Sequence, residues 1–189
     1  MQPLPDSLFF NNTLEVAREL IGKRLEVGPL SGRIVETEAY RSDGASHARR
    51  YTPRSAPMFD TYGQLYIYLI YGVHHCLNIT TEPPEHPGAV LIRALEPLEG
   101  IEVMAARRGT SNPYQLCSGP GKLCQALAIT LEESGRPLGE RVRIGDDGLS
   151  CGEIRSVPRV GVRRATALKW RFLLSGSPYV SHPNPGIEG

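Results

Sequence analysis

Residues 65–78, LYIYLIYGVHHCLN, constrain this chain more than any other stretch. β-branched and aromatic side chains dominate, and one glycine breaks the run, so the segment reads as two strands meeting at a tight turn on Gly72. Tyr66 and Tyr68 stand two apart and share one face of the pleat, while Tyr71 falls on the other face beside the turn. Three tyrosines on one short strand, followed by His74, His75 and Asn78, suit a surface that grips flat rings. Nucleobases are the commonest such ligands.

A chain of 189 residues can bury a proper core in one domain. Its 20 glycines and 16 prolines favour turns and short strands over a helical bundle. No apolar run is long enough to span a bilayer and no signal peptide pattern opens the chain, so a cytoplasmic protein is expected, or a nuclear one in a eukaryote. Cys76, Cys117, Cys124 and Cys151 form no CxxC pair, and of His74, His75 and Cys76 only the first and last could converge from a strand. Neither a metal nor a cofactor is expected.

Net charge is +1, which alone says nothing for nucleic acid; its distribution says more. Arg155, Arg159, Arg163, Arg164, Lys169 and Arg171 follow one another with no acid between them, whereas residues 132–153 are rich in acids. A nearly neutral molecule can still turn one basic face to a polyanion.

Asn12 to Glu15 resembles a capping box opening a helix that stops at Gly22. Strands are predicted over 23–27, 32–40, 65–71, 73–80, 89–95, 141–144, 159–162 and 169–174. A helix is predicted from Pro97 to about Arg107, and a second from Ser118 to Ile129. The expected architecture is α+β: a single domain over 1–189 with a curved, largely antiparallel β-sheet, flanking helices and a protruding β-hairpin, its tail over 181–189 frayed.

Within GRIVETEAY, residues 32–40, alternation places Ile34, Glu36, Glu38 and Tyr40 on one strand face. Buried carboxylates are costly unless paired, and Arg93, inside the apolar run 89–95, needs an anionic partner of its own. The pairing of Arg93 with these carboxylates can be structural or can hold a general base; the residues alone leave both open. Residues 118–122, SGPGK, put N–H groups and Lys122 at a helix start, which suits one phosphate but is not a nucleotide-triphosphate loop. Arg49, Arg50 and Arg54 precede the aromatic hairpin and suit further backbone phosphates.

GRIVETEAY, His47, TPR at 52–54, LYIYLIYG, VLIRALEPLEG, LCSGPGKLCQALAI and RVGV, in that order, resemble the alkyladenine (3-methyladenine) DNA glycosylase family over nearly the whole chain. The resemblance implies a monofunctional enzyme that flips alkylated or deaminated purines out of duplex DNA and hydrolyses the N-glycosidic bond, initiating base excision repair; a monomer is the default expectation. It implies Glu38 as the general base and Arg93 as the residue steadying it. By the same resemblance Tyr40, His47, Tyr68 and Asn78 form the base pocket, and Tyr71 fills the vacated stack. Arg50, Arg54 and Lys122 are the expected backbone contacts. Two departures stand out: Val73, His74 and His75 follow the hairpin glycine where the family carries larger apolar or aromatic residues, and the loop between Tyr40 and His47 is short. The competing readings are a non-catalytic nucleic-acid-binding domain, which has no need of Glu38, and a hydrolase of free nucleosides, which has no duplex to open with Tyr71.

Overall fold

The structure is a computed structural model and describes residues 1–181. Its strands are β1 (Gln2–Pro3), β2 (Arg24–Val27), β3 (Leu30–Tyr40), β4 (Leu65–Ile70), β5 (His74–Thr81), β6 (Gly88–Glu99), β7 (Val142–Asp146), β8 (Ile154–Val157) and β9 (Arg171–Leu174). All pair antiparallel in one curled sheet of order β1-β7-β2-β3-β6-β5-β4, with β9 joined to β3 and β8 to β9. The helices are α1 (Thr13–Glu19), α2 (Ala56–Asp60), α3 (Ile101–Arg108), α4 (Pro113–Leu116) and α5 (Pro120–Leu127). The α+β class and the curved antiparallel sheet are those expected from the sequence. No helix among the described residues is long and apolar enough to cross a membrane.

Alternation along the strands sorts the two faces of the sheet. Leu65, Ile67, Leu77, Ile79, Val90 and Ile92 point to one side and pack with Val16, Ala17 and Leu20 of α1, Met104 of α3 and Leu123 and Leu127 of α5. Each such side chain contributes about 1.5–3 kcal/mol by burial. Tyr66 and Ala89, out of phase with that set, join Ala48 and Met58 in a small second cluster against which Tyr40 and Tyr68 pack.

The phase slips in the middle of β3, and this slip positions the site. On β3 the register passes from Ile34–Leu95 to Glu36–Ala94 to Thr37–Ile92, so Val35 and Arg93 are each left without a partner. Extra residues of this kind bend the strand and re-aim side chains. Ile34 therefore packs in the main core with Ala39, while Glu36 and Glu38 face the other way with Arg93. The single face expected for Ile34, Glu36, Glu38 and Tyr40 does not survive the bulge.

Other local expectations are corrected. Strand β6 runs on through Pro97, which lies opposite Gly32 at a second register shift, where a residue lacking an N–H is tolerated; α3 begins only after Gly100, in left-handed backbone at φ 74°. The predicted strand 159–162 is a loop, and pairing occurs earlier, at β8, because Arg159 and Val160 are held by side chains of other segments. At α1 Asn12 accepts from the Leu14 N–H (3.0 Å), but Glu82, not Glu15, accepts from the Thr13 N–H at 2.9 Å. Helix α5 ends at Leu127 with Ala128 in left-handed backbone, leaving Ile129 outside it. Of the tail predicted to fray, Ser181 is tied to Glu36 and the remainder lies outside the described residues.

Candidate active site

Register places the central residues in one row across the sheet. Tyr66 of β4 pairs with Asn78 of β5, Asn78 with Leu91 of β6, Leu91 with Glu38 of β3, and Glu38 with Arg171 of β9. Strand β3 is flanked on both edges at this point, so Glu38 is fully buried, as is Glu36.

The two carboxylates differ in how their oxygens are used. Glu36 accepts from Arg93 Nε (3.2 Å), Arg171 Nη1 (2.9 Å), the Ser181 hydroxyl (2.9 Å) and the Ser181 N–H. Three of these bonds fall on Oε1 and one, from the Ser181 N–H, on Oε2. Glu38 accepts three bonds: Tyr40 OH at 2.8 Å and Arg93 Nη1 at 3.2 Å on Oε2, and the Val160 N–H at 2.7 Å on Oε1. One direction on Oε1 is left for a further donor, such as water. Tyr40, Arg93 and Val160, the three residues that hold Glu38, all line one open cavity of about 420 Å³.

Aromatic groups wall this cavity. His47 and Tyr68 meet edge to face with centroids 4.7 Å apart, and His47 Nδ1 lies 2.9 Å from the Tyr66 hydroxyl. Desolvation beside these rings and the nearby Arg54 pull the His47 imidazole down to about 4, although the residue is open to solvent on one side. It is neutral at pH 7. Burial and the adjacent Glu38 push the Tyr40 phenol up, so it stays protonated and donates to Glu38. Each wall tyrosine also carries a guanidinium over its ring, Arg159 at 4.7 Å from the Tyr40 centroid and Arg54 at 5.0 Å from that of Tyr68. The Asn78 amide donates to the Tyr66 and Cys76 carbonyls, both at 3.1 Å, which fixes its orientation beside a recess shared by Tyr40, His47, Tyr68 and Asn78. That inner recess holds only about 30 Å³ and shares Tyr40, Ala45, His47 and Tyr68 as walls with the larger cavity.

Tyr71 sits in the hairpin turn itself rather than on the strand, at φ 54°, and is 87% exposed on the cavity rim. Arg54 reaches the same cavity while donating to the Leu69 carbonyl (3.2 Å). Lys122 binds the Ser118 hydroxyl (3.3 Å) on α5, whose Pro120 lines the cavity. Arg50 is not brought there; it borders a separate cavity of about 480 Å³ with Tyr51, Phe59 and Trp170. The basic run 155–171 does not form one face either, since Arg159 is buried in an ion pair with Asp43 and Arg171 in one with Glu36. Sequence reasoning missed the Val160 N–H, Arg171 and Ser181, because their roles depend on which segments fold beside Glu36 and Glu38. It also left Arg163 and Arg164 unassigned, although both line the mouth.

The methylpurine-DNA glycosylase family model matches residues 7–178. The chain belongs to that family. It is 48% identical over 180 residues, 94% of this chain and 92% of the other, to a protein of Agrobacterium fabrum provisionally named 3-methyladenine DNA glycosylase. Proteins of Prosthecochloris aestuarii and Chlorobium phaeovibrioides bear the same provisional name and are 46% and 45% identical, covering 94% and 98% of this chain and 90% and 100% of their own lengths. The chain is therefore a hydrolytic DNA N-glycosylase of base excision repair. The cavity that Glu38's partners line is its candidate active site.

Proposed function

We propose that this glycosylase everts alkylated or deaminated purines from duplex DNA into the cavity above Glu38 and releases them with a water that Glu38 activates. The observation that carries this reading is where the partners of the two buried carboxylates lie: Tyr40, Arg93 and Val160, which hold Glu38, all line the cavity, whereas of the Glu36 partners Arg93, Arg171 and Ser181 only Arg93 does. A cavity of about 420 Å³ accommodates a nucleotide, and Tyr40, His47 and Tyr68 offer ring faces and edges to the base.

Eversion costs about a few kcal/mol of lost stacking, least at a damaged pair. Tyr71, exposed on the rim, offsets that cost by occupying the gap. Departure of the base leaves an oxocarbenium-like sugar, which the Glu38 carboxylate stabilises while taking a proton from the attacking water. Arg93 holds Glu38 in place through an ion pair at 3.2 Å. No lysine lines the cavity, which favours direct hydrolysis over an amine intermediate. Asn78, fixed by its two carbonyl contacts, sits where it can discriminate among purine edges.

The test is incubation with duplexes that each carry one defined lesion, followed by alkali cleavage at abasic sites. Wild-type protein is expected to release at least one alkylated or deaminated purine. Glu38→Gln is expected to lose about 10²–10⁴ in single-turnover rate while still binding lesion duplex. Full activity in Glu38→Gln removes Glu38 from the mechanism.

A further inference from the structure

Among the described residues, the cavity above Glu38 is lined by five arginines, Arg49, Arg54, Arg93, Arg163 and Arg164, and by no aspartate or glutamate. Arg93 is spent on Glu36 and Glu38. Arg163 and Arg164 are exposed and take part in none of the salt bridges found among the described residues. This imbalance is local. Elsewhere cations and acids pair: Lys23 with Asp146, Arg33 with Asp147, Arg41 with Glu82 and Arg143 with Glu26.

The loop that carries the two arginines is held, not loose. Arg159 grips Asp43 through two bonds, at 2.7 and 3.1 Å, and Val160 donates to Glu38. Beyond the turn at Gly161 (φ 70°), the stem of Arg164 packs on Gly44, where an added Cβ would stand only 3.1 Å from Arg164 Cβ. The lack of a side chain at Gly44 lets the two loops close on one another. The guanidinium groups are thereby presented at the mouth, while Arg54 approaches the same mouth from the hairpin.

We propose that Arg163 and Arg164 clamp a backbone phosphate beside the everted nucleotide. The proposal rests on the reading that a nucleotide enters this cavity. Once a base is inside, its flanking phosphates must lie at the mouth, and paired guanidiniums suit phosphate oxygens by charge and by their fork of N–H donors. Because Val160 is only three residues from Arg163, the clamp and the N–H that holds Glu38 belong to one short loop.

The experiment is equilibrium binding of two duplexes of one sequence, with and without a single lesion, over a series of salt concentrations. Wild type, R163A/R164A, R163K/R164K and the distant exposed R18A are compared. R163A/R164A is expected to bind lesion duplex about tenfold or more weakly, with the slope of log K against log salt reduced by about 1–2 and a smaller loss on undamaged duplex. R163K/R164K should keep the slope, and R18A should behave as wild type. An unchanged slope in R163A/R164A, equal losses on both duplexes, or the same loss in R18A overturns the clamp. Base release by wild type, assayed on the same lesion duplex, is a separate readout: its absence defeats the proposed chemistry and leaves a changed slope to stand by itself.

Discussion

At the scale of single residues, chemistry turns on which polar atoms remain available. Glu36 and Glu38 are chemically alike, two apart and equally buried, yet all three residues that hold Glu38 line the cavity, whereas Glu36 is tied to Arg171 and Ser181 away from it. His47 is a second case. Its pKa in the fold, about 4, lies below its ordinary 6.5 through desolvation and the Arg54 charge. Between these values the unfolded chain binds more protons, so the stability that His47 contributes is fully present above pH 6.5 and fades as pH falls through about 4. An NMR titration should find the imidazole neutral down to about pH 4, and a midpoint near 6.5 would show that the ring is not held as described. That Glu38 and Arg93 would meet was legible, because an arginine in an apolar run must find an anion. Which carboxylate is held from the cavity side was not, because the Val160 and Ser181 donors come from segments more than a hundred residues away.

At the scale of elements, the β4–β5 hairpin reconciles two demands. Its strands alternate cleanly, with Leu65 and Ile67 in the core and Tyr66 and Tyr68 toward the site, which the period-two pattern made readable. The turn is less economical. Tyr71 occupies left-handed backbone at φ 54° with almost no burial, a conformation that disfavours a tyrosine and suits glycine or asparagine. Such strain at an exposed aromatic residue fits the proposed insertion of Tyr71 into DNA. Tyr71→Asn is expected to raise stability to urea by about 0.5–1 kcal/mol and to weaken binding to lesion duplex by about 1–3 kcal/mol. A variant that is both less stable and equally tight would show that Tyr71 serves the turn rather than the DNA. The bulge pair at Val35 and Arg93 lay beyond periodicity, since a pattern of apolar residues records faces and not the register between strands.

At the scale of the whole molecule, the sheet joins distant segments into one polar network. Ser181, near the end of the described chain, donates twice to Glu36 and also receives Arg93. Ser181→Pro deletes both donors and is expected to lower unfolding free energy by about 1–3 kcal/mol, measured by urea denaturation; unchanged stability would mean that Glu36 is sufficiently held by Arg93 and Arg171. Global charge follows the same logic. A net charge of +1 coexists with a basic mouth because acids such as Asp146, Asp147 and Glu26 stand elsewhere, paired with Lys23, Arg33 and Arg143. By itself the sequence determined most of the sheet strands, the aromatic hairpin and the need of Arg93 for a carboxylate, since those follow from local periodicity and from the cost of an unpaired buried charge. Only the tertiary structure decided that Tyr66, Asn78, Leu91, Glu38 and Arg171 share one row, that Arg50 lies apart and that Arg163 and Arg164 crown the cavity. Those outcomes depend on inter-strand register and on loop contacts between remote segments, where many pairings have similar local energy and packing of the entire chain selects one.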